Sequence, residues 1–253
     1  MTSDAPLDLI RSHCEELTAK YTSLMFDISA GEYAVKGALR FSASAKEEGI
    51  PEVFHGDYQI AISIPRDYPK SYPWVKEVGG KIDTGFHINP DGTLCLGAPI
   101  AIRKTFDENP TLIGFVESCL IPFLYSYEYK LKNGKLPFGE LSHGDLGIVE
   151  HYRSSFKVAD DYALLGLLRI LADDSYRGHL ECPCGSKQRL RNCHGEQLLD
   201  LKPHQSQNAF LMDYVTVMGT VLKKGTPIPR AVLSKVVEKN VDLSKLEKNG
   251  AII

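Results

Sequence analysis

An α+β fold is what this sequence predicts: one antiparallel sheet with flanking helices, followed by a small metal knuckle and a helical tail. Three observations carry that prediction. Near the N-terminus, apolar residues recur every 3.6 positions, and two runs that alternate with period 2 come next. A long stretch bearing glycine and proline, without periodicity, then precedes renewed helical patterning. Beyond it, four metal-type ligands crowd together between Cys182 and His194.

Taken in order, residues 4–26 read as an amphipathic helix, with Leu7, Ile10, Leu17, Tyr21, Leu24 and Met25 near one stripe. Asp4 suits the N-cap and Pro6 the first turn. His13 and Cys14 lie within it as ordinary helix positions. Residues 32–43 place Tyr33, Val35, Leu39 and Phe41 on one face of a strand, and residues 58–64 do the same with Tyr58, Ile60, Ile62 and Ile64. A third strand is expected over 74–78. Between the last two, Pro65, Pro69 and Pro73 exclude regular structure and predict a stiff, extended crossover. Residues 79–106 show little periodicity, and a loop of that length in a compact domain usually has a function. Helical patterning resumes at Thr111, where Cys119 is a small core residue and Pro122 is expected to kink or break the segment. Further helices are expected over 145–154, 160–172, 204–222 and 229–240.

The bulk properties set bounds. The chain has 253 residues, 43% hydrophobic and 24% charged, which is an ordinary globular balance and excludes gross disorder. The formal net charge of -3 offers no global basic field, so neither nucleic acid nor an anionic membrane is expected as a partner. The N-terminal residues are acidic and carry no apolar run, and no stretch is apolar for long enough to span a bilayer. With no secretory signal and clustered rather than paired cysteines, a reducing cytoplasm is the expected compartment.

Of six cysteines, Cys182, Cys184 and Cys193 fall within twelve residues and His194 follows directly. Zinc favours four tetrahedral sulfur or nitrogen donors, and thiolates bind it as anions, so this C-x-C-x8-C-H spacing predicts a structural zinc held by Cys182, Cys184, Cys193 and His194. The Cys182-Pro183-Cys184-Gly185 turn frees backbone amides to hydrogen-bond the sulfurs. The segment resembles the SEC-C motif, the zinc knuckle found at the C-terminus of the bacterial SecA ATPase and in many unrelated bacterial proteins. One departure is Lys187, where that motif often has glycine. The resemblance implies structural zinc and a docking surface. Lys187, Arg189 and Arg191 make the knuckle basic, for which a solvated face is the simplest account.

Cys95 stands apart in the aperiodic loop, with His87 and Asn89 just upstream. Thiol chemistry needs an accessible sulfur and a donor for a developing oxyanion. The Asn89 amide can be that donor, and His87 can act as a base or brace the loop.

Tyr68-Pro69 through Pro73-x-Val75, His87-x-Asn89, and Gly92-Thr93-Leu94-Cys95-Leu96 resemble, in order, the core motifs of ubiquitin-conjugating enzymes. The segment from Phe54 to Ile60 is similar to the strand before that Tyr-Pro stretch. The resemblance spans roughly residues 1–130. Ile88 replaces that family's proline, and Asn89 lies six residues before Cys95 where eucaryotic members usually have eight. The segments Phe123–Tyr127 and Leu136–Gly144 resemble instead divergent bacterial relatives in antiphage operons, including short CBASS systems. By that resemblance the sheet and helices form a ubiquitin-conjugating-like domain. Cys95 carries a thioester to a protein C-terminus, contributed by a nucleotidyltransferase or a ubiquitin-like modifier, and an acceptor protein supplies a lysine or other nucleophile. One oxyanion donor there contributes about 2.7–4 kcal/mol. Asp91, Glu140 and His143 are candidates for deprotonating the amine.

The implied organisation is a catalytic domain over 1–175, the knuckle over 176–200 and a helical segment over 201–253. Two other functions remain open: a non-catalytic adaptor that docks through the zinc segment, and a cysteine hydrolase. Against the hydrolase, the Cys95 loop lacks a strand-to-helix elbow.

Overall fold

Alternation with period 2 becomes a four-stranded antiparallel sheet in the order β1-β2-β3-β4, a simple meander. The strands are β1 (Leu24–Ser29), β2 (Glu32–Ala45), β3 (Ile50–Ile64) and β4 (Trp74–Glu77). In this computed structural model, residues 7–29, 32–45, 49–138 and 144–253 are described. The chain forms two compact units, Met1–Glu140 and Leu141–Ile253.

The register explains the sheet's two faces. Val35 pairs with Ile62 and Leu39 with Tyr58, while Ile62 also pairs with Val75 on β4. All five are buried, so the face read from the sequence is the core face. Helix α1 (Leu7–Lys20) supplies Ile10, Cys14 and Leu17 to that core. The expected first helix ran to residue 26, but the chain turns at Tyr21 and residues 24–29 pair with β2. Leu24 is buried and Met25 exposed, an alternation that also satisfies the apolar spacing on which the helix reading rested. Asp4 and Pro6 lie outside the described residues.

After β4 the irregular stretch is shorter than expected, because Pro99–Glu108 forms helix α2 with Pro99 in its first turn. Helix α3 (Leu112–Phe115) starts at Thr111, whose hydroxyl caps the Gly114 amide. It runs through a π-helical turn at Val116–Leu120 into α4 (Ile121–Asn133). Pro122 thus sits just past a widened turn, where its missing N–H and its ring are accommodated. Phe115, Leu120, Phe123, Leu124 and Tyr127 from this rod join the core over the sheet, and Cys119 is buried there as a small core residue.

The second unit is helical. It contains α5 (Asp145–Phe156), α6 (Asp161–Ala172), α7 (Gly195–Leu201), α8 (Gln207–Lys223), α9 (Lys235–Asn240) and α10 (Ser244–Lys248). Helix α6 is buried around most of its circumference, from Ala163 through Leu168 and again at Ile170, Leu171 and Ala172. A helix apolar on all sides must be central, and α6 packs against both α5 and α8. Helices α5 and α6 fall within the second unit, Leu141–Ile253. The short α7 was not expected, and the last expected helix is split into a 3-10 turn at Arg230–Val232 and α9. Among the described residues no helix is long and apolar enough to cross a membrane.

Candidate active site and metal centre

The loop around Cys95 is a tight hairpin. Ile88 and Leu94 bridge antiparallel, and the Cys95 amide donates to the His87 carbonyl at 2.7 Å. At the tip, the Asn89 amide donates to the Thr93 carbonyl and the Gly92 amide to the Asn89 carbonyl, both at 2.8 Å. Asn89-Pro90-Asp91-Gly92-Thr93 suits this geometry: proline follows the first turn residue, and glycine takes the left-handed position at φ +84°.

Thr93, not singled out from the sequence, is the hub. It is a buried polar residue whose hydroxyl accepts from the Asn89 side-chain amide at 3.0 Å and donates to the Asp91 carboxylate at 2.7 Å. The Thr93 amide also donates to Asp91 at 2.9 Å. These hydroxyl and amide hydrogen bonds hold the Asp91 carboxyl below its ordinary pKa, which makes it a weaker base. The hairpin is tied to β4 by the Leu94 amide on the Val75 carbonyl and by Lys76 Nζ on the Asp91 carbonyl, at 2.8 and 2.7 Å.

The other arm is anchored by aromatic packing. Phe86 is buried against Phe123 and Tyr127 of α4, with ring centroids 5.5 and 4.7 Å away. His87 has φ +43° and turns the chain into the hairpin, its ring edge-on to Phe86 at 4.8 Å. Tyr125 is buried core as well. Asn89 and His87 thus both brace the loop. Glu140 and His143 lie outside the described residues.

Cys95 itself is partly exposed, in contrast to Cys14 and Cys119. Burial pushes the Cys14 thiol up to about 12, with Glu15 adding to it, and the Cys119 thiol up to about 11. Those two are core thiols. Among the described residues no hydrogen bond reaches Cys95 Sγ.

The four clustered ligands converge. The donor atoms of Cys182, Cys184, Cys193 and His194 all lie within 4.8 Å of one another, a set able to hold a metal ion. Cys182 and Cys193 Sγ each sit 3.2 Å from His194 Nδ1, and Cys184 Sγ sits 3.5 Å from Cys193 Sγ. A short hairpin presents them: Glu181 bridges Arg189, and the Cys182 amide donates to the Gln188 carbonyl at 2.8 Å. Lys187 takes φ +59°, a left-handed conformation that glycine adopts more readily.

The chemistry of the donors fits zinc. His194 Nε2 donates to the Phe156 carbonyl at 2.9 Å, so in the neutral ring Nδ1 carries the lone pair that faces the sulfurs. Burial opposes ionisation of Cys184. Hydrogen bonds from the Ser186 hydroxyl and amide, and from the neighbouring thiols, outweigh it and bring the thiol down to about 6. Four protein donors leave no open position for substrate.

No family model matches this chain, and no curated protein or solved structure does.

Proposed function

We propose that the first unit is a ubiquitin-conjugating-like acyltransferase and that Cys95 is its nucleophile. The observation that carries this reading is the selective presentation of Cys95. Of six cysteines, two are core thiols, three belong to the ligand cluster, and this one stands partly exposed on a braced hairpin. The order of helix, four-stranded meander, hairpin and helices supports the same reading. Those motifs and that order are the ones by which the sequence resembles the family.

In the proposed reaction the Cys95 thiolate attacks the activated carboxyl of a protein C-terminus, and the activating group leaves. An amine of the acceptor then attacks the thioester and loses its proton to a base. The tetrahedral oxyanion collapses, and the Cys95 thiolate departs. The partners are a nucleotidyltransferase or a ubiquitin-like modifier as acyl donor and a second protein as acceptor. The setting is the bacterial cytoplasm and antiphage defence. Cys182, Cys184, Cys193 and His194 hold a structural zinc, which supplies folding energy rather than chemistry.

A hydrolase needs a base within hydrogen-bond reach of its nucleophile, and Cys95 Sγ shows no such partner among the described residues. Incubating the chain with an activated candidate partner tests all readings at once. The acyltransferase gives a thiol-reducible adduct that Cys95→Ala abolishes. An adaptor gives none, and a hydrolase releases the free carboxylate without transfer.

A further inference from the structure

The ligand cluster is asymmetric. Cys182 is 2% exposed, and His194, though partly exposed, is pinned by the Phe156 carbonyl, so this half is anchored to the helical unit. Cys184 and Cys193 are partly exposed, and Gly185, Ser186, Lys187 and Gln188 beside Cys184 are all exposed. Their sulfurs lie 3.5 Å apart, and the Ser186 hydroxyl sits 3.3 Å from Cys193 Sγ. A disulfide requires about 2.05 Å between sulfurs, so the two sulfurs must approach by about 1.5 Å. Cys182 and Cys184 are separated by Pro183 alone, which makes a ring between them small and strained, and an oxidant in solvent does not reach Cys182.

We infer that Cys184 and Cys193 form an oxidation site, at which hydrogen peroxide converts the pair to a disulfide and so ejects the zinc. The Cys184 thiolate attacks one peroxide oxygen; the O–O bond breaks, a sulfenic acid forms, and hydroxide leaves to become water with a proton from solvent. The Cys193 thiolate attacks that sulfur; the S–S bond forms, the S–O bond breaks, and a second hydroxide leaves and takes a proton from solvent to become water. Two sulfurs lose two electrons in total, and the peroxide is reduced to two waters. Removing two of four ligands leaves Cys182 and His194, too few to retain the metal. The inference rests on the zinc reading of this cluster.

The test uses the zinc-loaded chain of residues 1–253 and its Cys95→Ser variant, so that oxidation at Cys95 is separated from the cluster. Zinc content is measured first. Hydrogen peroxide is then added while released zinc is followed with a chromophoric chelator, and disulfides are mapped by mass spectrometry without reduction. The expected result, in both proteins, is about one zinc released per Cys184–Cys193 cross-link, with zinc uptake restored by a thiol reductant. A chain purified without zinc sinks the metal reading and the inference together. Zinc that stays bound under peroxide, or leaves with sulfinic acids or a Cys182 cross-link instead, overturns the switch and leaves the zinc reading standing.

Discussion

His194 Nε2 lies 2.9 Å from the carbonyl oxygen of Phe156, the last residue of α5. That hydrogen bond satisfies a helix-end carbonyl and orients a metal ligand in one contact. Pro183 fastens the knuckle on another side: a Cβ built on Gly166 of α6 would fall 2.6 Å from Pro183 Cβ. Leu190 and Cys182 are buried as well. The knuckle is therefore part of the helical unit's core rather than an appendage.

Metal removal tests this arrangement. Pure protein is expected to carry one zinc per chain by elemental analysis. Cys193→Ala, or a strong chelator, should lower the unfolding free energy of the second unit by several kcal/mol, on the order of a third of what zinc binding gives a small finger. Hydrogen exchange at residues 178–194 should rise first. Unchanged exchange after chelation would mean that the knuckle holds its shape without metal.

Gly166→Ala is expected to destabilise. Alanine gains about 1 kcal/mol of helix propensity, but the new methyl overpacks against a rigid proline ring, at a cost of about 1–3 kcal/mol. Pro183→Gly removes the opposing Cβ. A double-mutant cycle by urea unfolding should therefore show coupling between the two sites, and additive effects would place them out of contact.

How much of this was legible in the sequence depends on the scale of the signal. The period-2 runs predicted the buried face of β2 and β3, because side-chain alternation is a local property. Residues 24–29 misled because Leu24 and Met25 fit both a helical stripe and a strand, and only pairing with β2 decides between them. The metal ligands were readable because all four are close in sequence. Their supports, Phe156 and Gly166, come from other elements and carry no local mark. Thr93 could have been found, since Asn-Pro-Asp-Gly-Thr is itself a hairpin signature.

Asn89 and Thr93 share one hydrogen bond, and that makes their roles separable. Thr93→Val removes the hydroxyl and should cost about 1 kcal/mol of hairpin stability; under the proposed acyltransferase reading it slows charging of Cys95 and acyl transfer alike. If the Asn89 amide also faces the oxyanion, Asn89→Ala should slow transfer by a further 100-fold or so beyond charging. Single-turnover measurements of the two steps distinguish these cases. Equal losses in both variants would confine Asn89 to bracing.

Thiol reactivity should follow burial. At pH 8 a thiol near 11 or 12 is ionised to about one part in a thousand or less, so Cys119 and Cys14 should resist alkylation until the chain unfolds. In zinc-loaded protein the metal slows alkylation of the cluster's sulfurs, leaving Cys95 as the fast site. Timed iodoacetamide labelling with peptide mapping checks the order. Early labelling at Cys14 would contradict the packing of α1.

Asp213 provides a pH test in the helical unit. Its carboxylate is buried on α8 and accepts from Tyr152 Oη and Gln205 Nε2, each at 2.7 Å. Burial raises its pKa, and the two hydrogen bonds only partly offset that. The folded state thus holds this proton more tightly than the unfolded chain does. Its contribution to stability is full below the unfolded carboxylate value, near pH 4, and declines as pH rises through the raised folded value. Asp213→Asn keeps an acceptor for Tyr152 and cannot ionise. Its urea midpoint relative to the unaltered chain should climb across that window and level off above it. A difference that stays flat from pH 4 to pH 7 would show that the carboxyl keeps an ordinary pKa despite its burial.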